Sequence, residues 1–366
     1  MRKITFPKMG DYSIPAYFFL KNTLNATIIV PDDITLKTLE TGTNISPEFV
    51  CMPFKYTIGT FVEGLNKGAD TLIQLGGGCR YGYYAELQEE TLRNMGYNFE
   101  YINLVSKGKA NPYEIYKKFK KIDPKFNVFK ALYYLLITKK IIEYMDEIDD
   151  YIRKNIGFEV KKGSFKKQKL KMLEEFKNTK NYHTLKKSYK KYKKIFKNIE
   201  INKPKKPLKV GIIGELYTVM EPFSNYYLEE YLAKHNIEIT RFTNAKYLLF
   251  DKKKKMKKAL KKQNYVKYKM GADASDNIVR TLFLCNNNYD GIIHIKSSFC
   301  TPEIGAMPII NKISSSYKIP IIFFSFGDMT NKTGIETRLE ALIDMIEMRK
   351  KNEWLLFRDW YWFNFY

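Results

Sequence analysis

Lys209-Val-Gly-Ile-Ile-Gly-Glu215 is the stretch whose reading decides the fold. Its apolar run does not alternate with polar residues, which is the pattern of a strand covered on both faces, as in parallel sheets. Helix-compatible residues follow over 222–234, and a second apolar run occupies 237–240. Together these read as a β-loop-α-β unit. The N-terminus repeats the plan: Lys3-Ile-Thr-Phe6, a turn at Gly10-Asp-Tyr12, helix-compatible residues to Leu24, then Ala26-Thr-Ile-Ile-Val30. Further short apolar runs at 71–75, 99–105, 291–296 and 320–326 are flanked by Gly, Asp or Pro. The expected class is α/β, with two Rossmann-like domains built on parallel sheets.

Between the two units, residues 111–202 carry helical periodicity, few turn signals and no strand candidate. They predict a helical insertion. Asn202-Lys-Pro-Lys-Lys-Pro207 ends it, because Pro204 and Pro207 cannot continue a helix. The expected division is therefore 1–110 for the first α/β domain, 111–207 for the lysine-rich insertion and linker, and 208–366 for the second α/β domain.

The chain has 366 residues, 45% of them hydrophobic, and 63 Lys and Arg against 39 Asp and Glu give a formal charge of +24. So large an excess points first to nucleic acid or an anionic surface. Much of the lysine, however, lies in 117–206 and 252–269, interleaved with Leu, Ile, Phe and Tyr at helical spacing, and predicts solvated helix faces. No zinc finger, RNA-recognition signature or KH-type loop accompanies the charge, so no specific nucleic acid is expected. No run approaches the roughly 20 apolar residues of a membrane span, and residues 1–30 hold no apolar run of signal-peptide length. Four cysteines are too few for a disulfide scaffold, and a reducing cytoplasm is the expected setting. The absence of a G-x-x-x-x-G-K-[ST] loop leaves ATP hydrolysis to another protein.

Three of the four cysteines share a setting. Cys51, in Ser46-Pro-Glu-Phe-Val-Cys-Met-Pro-Phe54, and Cys300, in Ser298-Phe-Cys-Thr-Pro-Glu303, each precede a helical segment with proline two residues on, where its missing N–H costs nothing. Cys79 closes Gly76-Gly-Gly-Cys79, after a strand and before a helix expected over 83–95; three glycines permit a sharp turn and a close backbone approach. A helix N-terminus stabilises thiolates and offers N–H groups to a cluster's sulfides. Ordinary buried cysteines, or a catalytic Cys79 beside Arg80, are the competing readings. A zinc site would call for C-x-x-C pairs, which the chain lacks. Cys285 stands in an apolar helix-like run and reads as a core or helix-end residue; His183 and His235 read as exposed, and His294 as a packed strand residue.

At these residues the chain resembles the 2-hydroxyacyl-CoA dehydratase superfamily, in particular its activase-associated and double-cubane-cluster relatives. The matching stretches are Ile4-Thr-Phe-Pro7 with Met9-Gly10, 46–54, 78–84, 209–215 with Glu221-Pro-Phe223, 289–295, Cys300-Thr-Pro-Glu303 and Glu336-Thr-Arg-Leu-Glu340. The resemblance implies two domains facing each other with one [4Fe–4S] cluster between them, held by Cys51, Cys79 and Cys300. It implies as partners an activator ATPase carrying its own cluster, a second dehydratase-like subunit or a homodimer, and an acyl-CoA substrate. Two departures stand out: Gly77-Gly78 replaces the family's Gly-Pro before the cysteine, and Met270-Gly-Ala-Asp-Ala-Ser275 replaces a Gly-Gly-His-Gly loop. A double cubane would need about twice as many thiolates.

The expected function is thus a cluster protein that accepts a low-potential electron and passes it to a bound substrate. Gly76, Gly77, Gly78, Arg80 and Glu303 are the candidate substrate contacts, with Glu48 or Glu303 as alternative ion-pair partners for Arg80. The competing functions are an electron-transfer or reductase component without dehydratase activity, and a metal-free interaction protein using its basic helices and the aromatic tail 354–366.

Overall fold

A computed structural model describes residues 1–77, 79–105, 111–251, 263–266 and 270–350. Gly78, most of the second lysine-rich stretch and the aromatic tail lie outside the described residues.

All eight expected strands form, in two four-stranded sheets in which every pairing is parallel. In the first, β1 (Lys3–Thr5), β2 (Thr27–Ile28), β3 (Thr71–Gln74) and β4 (Glu100–Asn103) are ordered β2-β1-β3-β4. In the second, β5 (Leu208–Gly214), β6 (Ile237–Arg241), β7 (Gly291–Ser297) and β8 (Ile321–Phe326) are ordered β6-β5-β7-β8. The orders are equivalent, so each sheet switches direction of winding beside its first strand. Crevices at the carboxyl ends of such strands are where open α/β sheets bind ligands.

Both faces of each sheet are covered, which explains the unbroken apolar runs. In the first unit, α1 (Ser13–Thr23) and α5 (Pro112–Ile122) pack on one face through Leu20, Phe119 and Ile122, against Ile4, Ile73 and Ile102. On the other, α3 (Met52–Asn66) and α4 (Tyr84–Asn94) bury Phe54, Ile58, Phe61 and Leu92 against Leu72. α2 (Leu36–Ile45) lies against α3. In the second unit, α10 (Leu228–Lys234) and α13 (Lys332–Lys350) cover Val210, Ile212, Ile293 and Phe324. α11 (Ala274–Asn286) and α12 (Thr301–Tyr317) cover Ile213 and Ile292 through Ile278, Ala306 and Ile310.

The insertion is helical: α6 (Val128–Asn155), α7 (Ser164–Lys177) and α8 (Tyr182–Lys197) enclose a core of Ile141, Met145, Phe165, Phe176 and Phe196 that also takes in Phe18 of α1. Its one β pairing among the described residues is an isolated bridge, Glu159 to Ile201, outside both sheets. On α8, Leu185, Ser188, Tyr192 and Phe196 are buried while the lysines between them face outward. No helix of the described residues is long and apolar enough to cross a membrane.

The helix expected over 222–234 is broken. α9 (Leu216–Met220) ends before Pro222, a short 3-10 turn spans Phe223–Asn225, and Tyr226 and Tyr227 take left-handed φ values of 56° and 57° before α10 begins. Asn225 secures this path: its Nδ2 donates to Thr218 O at 2.7 Å, and its Oδ1 accepts from the Leu228 N–H at 3.2 Å. The break serves contact between the halves. Glu221, just beyond α9, accepts the Gly10 N–H at 2.6 Å, and a Cβ at Gly10, where φ is +49°, would come within 2.8 Å of Met220 O.

Asp146 of α6 ties three segments together. Its carboxylate, 2% exposed, accepts from Tyr12 Oη at 2.5 Å and from the Lys246 N–H at 2.7 Å. Burial, with Asp149 adding to it, pushes its pKa up to about 6 against the opposing hydrogen bonds. The folded chain therefore holds this proton more tightly than the unfolded chain, and stability from this group falls as pH rises through the interval between the two pKa values. Asp146→Asn should remove that slope. In urea unfolding, the stability difference between wild type and variant should change by about 1 to 3 kcal/mol between pH 4 and pH 6.5, with wild type faring relatively better at the acid end. An unchanged difference would contradict the burial of a titrating carboxyl there.

Candidate functional site

The two halves meet at the carboxyl ends of their sheets. Cys51 is the N-cap of α3, in extended conformation with Pro53 in the first turn. Cys300 is the N-cap of α12, with Pro302 in the equivalent place. The expected settings of both hold. Cys79 differs, because it precedes a 3-10 turn, Arg80–Tyr83, and α4 starts only at Tyr84. The tight turn is held by the Gly82 N–H donating to Cys79 O at 2.9 Å. Cys79 follows β3 and Cys300 follows β7, strands with the same place in the two sheets.

Cys51 lies on the loop that carries Cys300. Its thiol donates to Phe299 O at 3.7 Å, the Met52 N–H donates to Ser297 Oγ at 2.8 Å, and Phe49 meets Phe299 edge-on at 5.5 Å. Lys55 pairs with Asp328 beyond β8. Behind these contacts Tyr56 stacks on Tyr217 at 5.9 Å within a cluster that also holds Ile34 and Met52.

The three cysteines are electrostatic neighbours: a charge on Cys51 acts on both Cys79 and Cys300. Burial raises the pKa of each thiol, most strongly for Cys300. Opposing it are the Tyr84 hydroxyl at Cys51, the Tyr81 N–H at Cys79 and the Glu303 N–H at Cys300. Cys285 stands apart, near the end of α11 on its buried face, its thiol pushed up to about 11 by burial. His183 and His235 are exposed, and His294 is fully buried.

Glu215 is the residue that the sequence did not single out. It follows β5 and caps α9, where its carboxylate accepts the Tyr217 N–H at 2.8 Å, the Thr218 N–H at 2.9 Å and Thr218 Oγ1 at 2.6 Å. Burial and the neighbouring Asp273 push its pKa up to about 7, while those hydrogen bonds hold it down. Its charge reaches Cys51, Cys79 and Cys300 alike. The signal was available in its position, directly at the carboxyl end of a central strand.

The candidate substrate contacts separate. Arg80 is exposed, and its guanidinium donates to Phe49 O at 3.5 Å; among the described residues it pairs with neither Glu48 nor Glu303. Glu303 is fully buried and accepts from Asn277 Nδ2 at 2.9 Å, with His294 Nε2 at 2.8 Å from the same oxygen. Gly76 packs against backbone, since a Cβ there would lie 2.0 Å from Val105 O. Gly77 lies against the Tyr81 ring. Gly78 lies outside the described residues.

Among the described residues, no three His, Cys, Asp or Glu side chains close on a point that would hold a single metal ion. A cubane asks for something else: thiolates spread over its corners, with sulfurs roughly 6 to 7 Å apart. Three neighbouring thiols from three loops, each beside a hydrogen-bond donor, are a donor set of that chemistry. No protein-family model matches the chain, and no curated protein matches it at a significant level.

Ser297 is the hinge of this arrangement, since its hydroxyl takes the otherwise orphaned N–H that starts α3. Ser297→Ala should cost about 1 to 3 kcal/mol in denaturant unfolding, the usual penalty for a buried donor left without a partner. Ser297→Thr, which keeps the hydroxyl, should recover most of it. A neutral alanine variant would show that the contact does not hold the halves together.

Proposed function

We propose that this chain is an iron–sulfur protein of the 2-hydroxyacyl-CoA dehydratase kind, in which Cys51, Cys79 and Cys300 hold one [4Fe–4S] cluster between the two sheets. The observation that carries the reading is that the Cys51 thiol donates to Phe299 O, next to Cys300, at 3.7 Å, and that a charge on Cys51 acts on Cys79 as well, although the three come from loops far apart in sequence. When bound, such a cluster supplies one low-potential electron. The chain's own part is to bind and shield it. The N–H groups of Tyr81 and Glu303 favour the thiolates, and the seam around Tyr56 and Tyr217 keeps water from one side. Because the thiols are raised by burial, loading releases protons and is favoured by rising pH.

The electron would come from a separate activator ATPase, since the chain has no phosphate loop of its own. An acyl-CoA is the proposed substrate class, with exposed Arg80 at the rim as its anion contact, and a reducing cytoplasm the proposed setting. The buried state of Glu303 and the tight packing of Gly76 favour a second reading. In that reading the chain is an electron-transfer component that hands the electron to a second dehydratase-like subunit or a further copy of itself.

Anaerobic reconstitution should give about four iron and four sulfide per chain. Cys51→Ser, Cys79→Ser and Cys300→Ser should each lose or destabilise the visible absorbance, while Cys285→Ser keeps it. Absence of iron in wild type, or loss of it in the Cys285 variant alone, would defeat the reading. Adding acyl-CoA then separates the two versions: a perturbed electron paramagnetic resonance spectrum marks substrate binding, and an unchanged one favours electron transfer.

A further inference from the structure

Lys296 is the last but one residue of β7 and is only 4% exposed. On a strand, alternate residues share a face, so it lies on the side of Ile292 and His294, beneath the start of α12. Its ammonium meets two backbone carbonyls at long range, Ser297 O at 3.5 Å and Ser298 O at 3.4 Å. Among the described residues no carboxylate lies within ion-pair distance of it. The nearest acid to act on it, Glu303, is bonded instead to His294 and Asn277. Packing does not explain a lysine here, because methionine would fill the same volume without the cost of burying a charge.

The carbonyls it meets belong to the Cys300 loop: the Cys300 N–H donates at 3.0 Å to Ser297 O, the same oxygen that the Lys296 ammonium approaches. Three thiolates at the meeting of the sheets bring three negative charges beside Glu215 and Asp273, in a place with little water to screen them. Arg80 is exposed and at the rim, Lys55 is paired with Asp328, and Arg280 is bonded to Thr243 and Asn277, so among the described residues Lys296 is the buried cation bonded into the Cys300 loop. Resting on the iron–sulfur reading above, we propose that Lys296 is the counter-ion of the cysteine site. Its ammonium offsets the thiolate charge and sets how readily the site takes up an electron. A fixed cation beside a centre favours the form carrying one more electron, and the effect is large where the dielectric is low.

The test uses the full chain, reconstituted anaerobically and titrated with dithionite, which gives up the one electron that the cluster gains. Lys296→Met should load iron and sulfide as wild type does but accept the electron at least tenfold less favourably, a midpoint 59 mV lower for a one-electron couple. Lys296→Arg, which keeps the charge, should stay closer to wild type. Should the methionine variant not fold, Lys296→Gln, neutral and able to reach the same carbonyls, takes its place. A loaded neutral variant with an unchanged midpoint, or an arginine variant shifted as far as the neutral one, overturns the counter-ion role while leaving the cluster in place. A wild-type chain that takes up no iron and sulfide overturns both.

Discussion

A single backbone N–H, that of Met52, organises the seam between the two sheets. It is one of the orphan donors at the start of α3, and the hydroxyl that satisfies it belongs to Ser297, the last residue of β7. A helix start in one half is thereby bonded to a strand end in the other, and the register between the halves follows. Cys51 is fixed against the Phe299 carbonyl, Lys55 reaches Asp328, and Tyr56 is laid on Tyr217. Helix termini always need such partners. Here the partner is a long way off in sequence, so the cost of ordering the helix start also holds the halves in contact.

The parts of the fold that depend on burial alone are legible in the sequence. Strands covered on both faces read as unbroken apolar runs, and Ile4, Leu72, Ile212 and Ile293 are buried members of those runs. The amphipathic α8 is legible for the same reason. The broken segment after α9 is not, because it relies on Tyr226 and Tyr227 in left-handed conformations that tyrosine rarely adopts, held by a side-chain staple from Asn225. No local preference announces that. The cysteine loops are legible as loops before helices, except that the Cys79 turn is 3-10, its path set by packing of Gly76 and Gly77 against Val105 and Tyr81. The bonding of Glu303 to His294 and Asn277 joins α12 to β7 and α11, and so appears only once the second unit is folded; Glu215 and Lys296 are placed by strand ends whose polar surroundings an apolar pattern does not record.

Charge in this chain is sorted by depth. Among the described residues the lysines sit mainly on outward faces, as on α8, where water screens them and long side chains cost little. The interior holds charges too, and several of them sit where elements meet: Asp146 between Tyr12 and Lys246, Glu221 against Gly10, Glu303 against His294, and Lys296 under α12. Surface charge of this kind does little for the fold, while a buried charge is expensive and so identifies where chemistry or registration is needed.

The spacing of the cysteines along the chain has a consequence in time. Cys51 and Cys79 are made early, and about 220 residues, all of the helical insertion and three of the four strands of the second sheet among them, follow before Cys300. At a synthesis rate of roughly 5 to 20 residues per second, the first two thiols would wait on the order of 10 to 45 s on the ribosome before Cys300 is even made. During that interval they are covered by neither β7 nor α12. A growing chain in an oxidising or metal-rich surrounding is therefore most vulnerable at its two N-terminal cysteines, well before the protein exists as a whole.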